Sequence, residues 1–255
     1  MALGKSVAIV IGSFPLGESD RVVTFFSRDH GKLRGVAKAS RRPRSRFMGT
    51  LELFTLGELV FFDTGKSDLV RVDHFDVLHP LARLRDDLGR LGHASWVVEC
   101  VGRLTAERDP NVGLYALLAR SLRSMERTPA GRVAVCFVAR CLDALGHRPR
   151  LDRCVECGRR APFARASLDE GGLVCERCGR GLAGLVPISP AAIAGLECLR
   201  DAAWEEALSA PLGRTEGELK TVLEAHMTRL IGQPPRATKF LREVRRLSEI
   251  AGDRG

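Results

Sequence analysis

Hydrophobic positions along the first eighty residues come in short runs, several of them alternating with polar ones. SVAIVIG, RVVTFFS, KLRGVAK, the two halves LELFT and ELVFF, and DLVRVDHF are β-branched or aromatic stretches. Between them lie SFPLGESD, DHG, an arginine-rich stretch and DTGKSD, rich in the residues that make turns. Asp29-His30-Gly31 supplies a tight hairpin, with glycine free to take positive φ. Strands following one another without a helical interruption predict a small closed or nearly closed β-barrel over residues 1–79.

Past Pro80 the period changes. Leu81, Leu84, Leu88, Leu91, Ser95, Val98 and Gly102 recur every three or four residues, with Pro80 at the first helical position. A second helix carries Leu114, Leu117, Leu118, Leu122 and Met125; a third carries Val135, Val138, Cys141, Leu142 and Leu145, stopped by Gly146. Ser189-Pro190 reads as an N-cap and first turn, and Thr215 with Glu218 has capping-box spacing before a helix closed by Gly232. Each helix has one apolar face to bury. The expected fold class is α+β multidomain: the barrel, then an all-α domain in two parts, 80–150 and 185–255, with an insertion at 151–184.

The insertion holds CVECG and CERCG. Cys154/Cys157 and Cys175/Cys178 form two Cys-x-x-Cys pairs with seventeen residues between them, the spacing of a four-cysteine zinc site. Two residues between thiolates let one turn offer both sulfurs to one ion, and two such turns complete a tetrahedron. Four thiolates leave no open coordination position, so the zinc is expected to be structural. Gly158 and Gly179 would let the chain double back and aim backbone N–H groups at the sulfurs. Cys100, Cys136, Cys141 and Cys198 lie in apolar helical runs and read as buried small hydrophobes.

The chain of 255 residues carries a formal charge of +9, which points to a polyanionic partner, nucleic acid before an anionic membrane. No window reaches ~18 uncharged apolar residues, so a cytoplasmic protein without a membrane partner is expected. The charge is concentrated in Lys32 to Phe47, where Lys32, Arg34, Lys38, Arg41, Arg42, Arg44 and Arg46 stand without one acidic residue. Pro43 and Ser45 favour an open, extended path there, and arginine's planar fork suits phosphate and stacks on bases. Adjacent phenylalanines, Phe25-Phe26 and Phe61-Phe62, point to opposite faces of a strand, so one of each pair is expected outward as a stacking platform. There is no G-x-x-x-x-G-K-[ST] phosphate loop and hence no sign of nucleotide hydrolysis. A non-enzymatic protein is expected.

IVIGSFPLGESDRVVTFFSRDHGKLRGVAKASRRPRSRF with LELFTLGELVFF resembles the N-terminal domain of the bacterial recombination mediator RecO family. The similarity continues through LARLRDDLGRLGHASWVVE, LGHRPRLDRCVECG and GGLVCERC to RATKFL. Ala39-Ser40 stands where that family commonly has Gly-Ala. The resemblance implies an OB-fold at 1–79 joined to a helical domain carrying the zinc finger. It further implies a DNA repair and recombination mediator of the RecF pathway, in the cytoplasm and associated with the nucleoid. Such a protein binds single- and double-stranded DNA, anneals complementary strands and, with RecR, assists RecA loading onto DNA covered by single-stranded DNA-binding protein. It also implies binding of that protein's acidic C-terminal tail by the helical domain, for which Arg229, Arg236, Lys239, Arg242, Arg245 and Arg246 are candidate counterions.

Two rival classes share these ingredients. A zinc-finger DNA glycosylase needs a proline amine as nucleophile, whereas Ala2-Leu3 follow Met1 here. Glu18 and Asp20, the one carboxylate pair beside the basic stretch, more simply cap a turn or pair with arginine. An RNA-binding OB and zinc protein is the other, since neither fold nor loop selects the sugar.

Overall fold

The computed structural model describes residues 2–65, 67–160, 163, 165–167 and 170–252. In chain order the strands β1 (Ala2–Leu16), β2 (Asp20–Ser27), β3 (Gly31–Ala37), β4 (Leu56–Asp63) and β5 (Leu69–His79) come first. Helices α1 (Arg83–Asp86), α2 (Leu88–Leu104), α3 (Val112–Met125) and α4 (Ala130–Ala144) follow. Short strands β6 (Arg165–Ser167), β7 (Gly172–Val174) and β8 (Leu185–Pro187) precede α5 (Pro190–Asp201), α6 (Trp204–Ser209), α7 (Thr215–Ile231) and α8 (Arg236–Gly252). The chain forms two compact units, residues 1–130 with 236–255, and residues 131–235. Helices α1 to α3 and α8 therefore belong with the barrel strands.

The first five strands close in the order β1-β2-β3-β5-β4, with β4 pairing back onto β1 and β3 running parallel to β5. Alternation puts Val10, Val23, Phe25, Leu33, Phe61, Val70, Val72 and Phe75 inside. The register shifts between Val10 and Gly12, a bulge that lets the long β1 serve two neighbours. Asp29-His30 turns the β2–β3 hairpin as expected, and Gly31 sits at φ 63°. A Cβ at Gly31 would lie 2.1 Å from the carbonyl oxygen of Asp109, so glycine is required twice over.

LELFT is not a strand. Residues 38–55 form a chain of turns that sends Phe47, Leu51 and Phe54 inward, with Phe54 at φ 73° and tied to Val10 by a 2.9 Å hydrogen bond. The apolar pattern there marks anchors of a folded connector, which is why it mimicked a strand. The same finding corrects the expected extended path of the basic stretch: successive i to i+3 hydrogen bonds, such as Arg42 N–H to Ala39 O at 3.2 Å, keep it coiled.

Pro80 does not open the first helix. Leu81 takes φ 46°, a left-handed position that breaks the run, and α2 starts at Asp87, whose carboxylate accepts the Arg90 N–H at 2.7 Å. Its buried face also differs from the expected stripe, leaving Leu88 exposed and burying Trp96, Val97 and Val101. The reason is α8: a Cβ at Gly92 would come within 2.5 Å of Leu241, and Trp96 Nε1 donates to Thr238 Oγ1 at 3.1 Å. Glu99 accepts from the backbone N–H groups of Arg236 and Ala237 at 2.8 and 3.1 Å, capping α8 from a neighbouring helix.

In the second unit Gly146 ends α4 at φ 76°, with His147 N–H donating to Leu142 O at 2.7 Å. Ser189 caps α5 by accepting the Ala192 N–H at 3.1 Å, with Pro190 behind it. The Thr215–Glu218 capping box does not form. Thr215 Oγ1 donates to Leu212 O, while Glu218 accepts from the Ser189 hydroxyl at 2.8 Å and from its N–H. The carboxylate serves the N-terminus of α5 instead, a tertiary partner that spacing alone does not show.

Candidate nucleic-acid interface and metal centre

The seven cations of the basic stretch divide by position. Lys32 and Arg34 lie on β3. The Lys32 ammonium donates to the carbonyls of Gly102 and Thr105, both at 2.7 Å, with its side chain only 13% exposed. It closes the C-terminal end of α2, where carbonyls lack helical partners. Arg34 approaches Glu107 at 3.6 Å. Lys38, Arg41, Arg42, Arg44 and Arg46 are all exposed on the connector. Among the described residues Lys38, Arg42 and Arg44 have no ion pair; Arg46 is 3.9 Å from Asp73 and stacks 5.0 Å over Phe47.

This cationic turn is fastened to the tip of the β1–β2 hairpin. Arg41 N–H donates to Ser19 O at 2.9 Å, the Arg41 guanidinium to Gly17 O at 3.1 Å, and Ala39 N–H to the Asp20 carboxylate at 2.8 Å. The Ala39 bond, helped by the Ser19 hydroxyl, holds the Asp20 carboxyl below the ordinary carboxylate value. Asp20 thus tethers the turn to the hairpin. Ala39 itself sits at φ 56°, the conformation that glycine adopts without cost. Phe47, Leu51 and Phe54 pin the far side, so five like charges are presented on a fixed scaffold.

The phenylalanines sort differently from expectation at one pair. Phe25 faces the barrel core and Phe26 the outside, yet both are buried, because Tyr115 of α3 covers Phe26 at a ring distance of 6.5 Å. Phe61 is in the core while Phe62 lies outward beneath the Arg71 guanidinium, 5.2 Å from its centroid. Phe14, near the hairpin tip, is half exposed.

The four cysteines of the insertion do converge. Their sulfurs lie within 4.8 Å of one another, and together they could hold one metal ion. Cys154 and Cys175 are buried with Val174, packed against Val155, Phe163 and Leu185. Cys154 and Cys175 open matching turns, with Gly158 N–H donating to Cys154 O and Gly179 N–H to Cys175 O, each at 2.9 Å. These glycine amides close the turns on carbonyls, and a backbone N–H does point at a sulfur as expected: that of Cys175 at the Cys154 sulfur, 3.4 Å away. Burial opposes a Cys154 thiolate, but N–H groups of Cys175, Cys157 and Glu156 outweigh it and bring its pKa down to about 6. Hydrogen bonds with the Cys175 and Cys157 sulfurs push Cys178 up to about 12. Of the other cysteines, Cys100, Cys136 and Cys141 are buried, and burial pushes Cys141 up to about 12.

A closed β1-β2-β3-β5-β4 barrel with an exposed cationic connector, followed by helices and a four-cysteine cluster, defines an OB-type multidomain protein. The family described as "Recombination protein O N terminal" matches residues 1–81, and "Recombination protein O C terminal" matches residues 85–239. The chain belongs to the RecO family of DNA repair proteins. It is 33% identical over 250 residues to "DNA repair protein RecO" of Anaeromyxobacter dehalogenans, covering 96% of this chain and 98% of that one. The protein of that name from Myxococcus xanthus is 33% identical over 225 residues, 87% of this chain and 91% of its own. The one from Bacillus pumilus is 26% identical over 250 residues, 97% of each. Among the described residues no helix is long and apolar enough to cross a membrane.

Proposed function

We propose that the chain is a non-enzymatic recombination mediator: it binds single- and double-stranded DNA, anneals complementary strands and, with RecR, helps RecA load onto DNA covered by single-stranded DNA-binding protein. The observation that carries this reading is the cationic turn, where Lys38, Arg42 and Arg44 stand exposed without an ion pair among the described residues on a barrel that fixes their spacing. Two DNA strands repel, and a surface that neutralises both lowers the cost of bringing them together. Contacts to phosphate are sequence-independent and salt-sensitive, so the finished duplex can leave without nucleotide hydrolysis.

For the cysteine cluster the ion that fits is zinc, in a structural role. Tetrahedral zinc–sulfur bonds of about 2.3 Å place sulfurs about 3.8 Å apart; Cys157 and Cys175 stand at 3.8 Å. Bound zinc would fix the fold of the three-stranded β7-β6-β8 insertion, which has little core of its own. For the acidic tail of the single-stranded DNA-binding protein, the cations named from sequence fall on two helices in different units, Arg229 on α7 and the others on α8. The assignment of that site stays with the helical part as a whole.

The test is annealing of complementary strands coated with single-stranded DNA-binding protein, with and without the purified chain. Acceleration by the chain, lost when Arg41, Arg42, Arg44 and Arg46 are replaced together by Ala, supports the reading. Normal annealing by that variant overturns it.

A further inference from the structure

The second unit holds a cavity of about 420 Å³ that the DNA reading does not use. Three segments meet around it: the chain after α4, which brings His147, Arg148 and Arg150, the residue Glu170 ahead of β7, and α7, which brings His226. Backbone pairing fixes this frame. Arg150 N–H donates to Gly171 O and Leu173 N–H to Arg150 O, each at 2.9 Å. A Cβ at Gly172 would stand 2.5 Å from the Arg150 carbonyl oxygen, so the close approach of the two segments needs glycine. The side chains are therefore presented on main chain whose own hydrogen bonds are already made. His147 and Arg150 are exposed and make no side-chain hydrogen bond or ion pair among the described residues. Arg148 has two long contacts, with Asp143 at 3.7 Å and Asp201 at 3.8 Å. His226 is only 7% exposed, and its Nε2 is enclosed with no hydrogen-bond partner among the described residues. A polar atom enclosed in this way costs free energy that a fold seldom gives up without a use.

We infer that this cavity binds a phosphate monoester, with the Arg148 and Arg150 guanidinium groups and the His147 and His226 rings as the donors around it. A tetrahedral dianion presents oxygens in several directions and so uses donors that arrive from separate segments, whereas a planar carboxylate is served by one guanidinium fork. Val155 and Leu230 are the apolar side chains on the wall, too few to hold the side chains of a peptide. The volume exceeds that of a phosphate ion, and Glu170 offers an acceptor to a hydroxyl of the esterified group. Burial, and after it the neighbouring His147, hold His226 below the ordinary imidazole value, so its ring is neutral in the free chain and takes up a proton beside a bound anion. The ester is either a free small molecule or the phosphorylated end of a nucleic acid strand, which share this chemistry. Either one would tie the chain around Arg150 to α7 through its oxygens.

Isothermal titration calorimetry on the full zinc-loaded chain compares glycerol phosphate with glycerol. Fluorescence anisotropy compares one short oligonucleotide with and without a terminal phosphate, in the variant whose Arg41, Arg42, Arg44 and Arg46 are Ala, so that the cationic turn does not mask the difference. Glycerol phosphate or the phosphorylated strand should bind while its unphosphorylated counterpart does not, and whichever binds more tightly identifies the source. Arg150→Gln, a change at an exposed side chain, is expected to weaken that binding by about 10- to 100-fold, the worth of a charge-assisted hydrogen bond. Sulfate serves as a probe that stays dianionic: its affinity should rise as pH falls from about 8 to about 6 and rise less in His226→Gln, or in His147→Gln should the buried change unfold the unit. Neither phosphate probe preferred over its unphosphorylated counterpart, unchanged affinity in Arg150→Gln, or a sulfate affinity that is flat across this pH range overturns the site. The DNA reading rests on the other unit, and none of these results alters it.

Discussion

Lys32→Met separates structural from DNA-facing charge within the basic stretch. The ammonium makes two hydrogen bonds of 2.7 Å to helix-end carbonyls and is 13% exposed, while methionine keeps the apolar stem but cannot donate. A charge-assisted hydrogen bond contributes about 1.5–3 kcal/mol, and a cation at a helix C-terminus about 0.3–1 kcal/mol more. The Glu107 contact, at 3.6 Å with Glu107 exposed, adds little. Part of the hydrogen-bond loss is recovered by water reaching the freed carbonyls. A destabilisation of about 2–4 kcal/mol of the unit that holds the barrel follows. Urea unfolding followed by Trp96 fluorescence, in a Trp204→Phe background so that one unit is read, measures it. DNA affinity under native conditions should stay within about twofold, because an ammonium facing a helix end contributes no phosphate contact. Unchanged stability together with a DNA-binding loss as large as that of Arg44→Ala would refute the assignment of Lys32 to the helix end.

Other consequences are open to test. Five exposed cations, Lys38, Arg41, Arg42, Arg44 and Arg46, give a slope of log affinity against log salt of roughly −3.5 on single-stranded DNA, and each Arg→Ala change should flatten it by about 0.7; a slope indifferent to these changes argues against direct contact. Ala39→Gly relieves a left-handed alanine worth about 1–2 kcal/mol against an unfolded-state cost of about 0.4–1 kcal/mol, so thermal melting should show equal or higher stability. Gly31→Ala should unfold the β2–β3 turn, since its methyl would meet a backbone carbonyl, and purified variant should lose cooperative melting of the barrel. The Asp20 carboxyl is held below its usual value, so its tether to Ala39 is present above the ordinary carboxylate range and is lost only as pH falls through the lowered native value. The Ala39 amide resonance followed by NMR reports that step, and a midpoint at or above the ordinary value would contradict it. Removing metal with a chelator should loosen the β6–β8 insertion and free four reactive thiols while strand signals of the barrel persist.

What the sequence disclosed and withheld follows a physical division. Signals complete within a few residues were legible: the Cys-x-x-Cys pairs that converge to within 4.8 Å, the Ser189-Pro190 cap, the Gly146 stop, the strand runs that close the barrel. Features whose meaning depends on a distant partner were not. Glu218 has the spacing of a local cap but serves Ser189, Lys32 sits in a basic run but serves α2, and Phe26 is outward yet covered by Tyr115. Gly92 carried a usable sign, a glycine inside a helical pattern, which often marks a close approach; here Leu241 makes it. The basic stretch shows the division most sharply. Charge counting treats Lys32 to Arg46 as one ribbon, whereas the fold takes Lys32 into a helix end and leaves the five cations of the turn exposed. Burying a lysine costs its hydration, so that cation must be satisfied by carbonyls. Exposed Lys38, Arg42 and Arg44 keep their hydration and meet no such demand from the fold, which is why the proposed function rests on them.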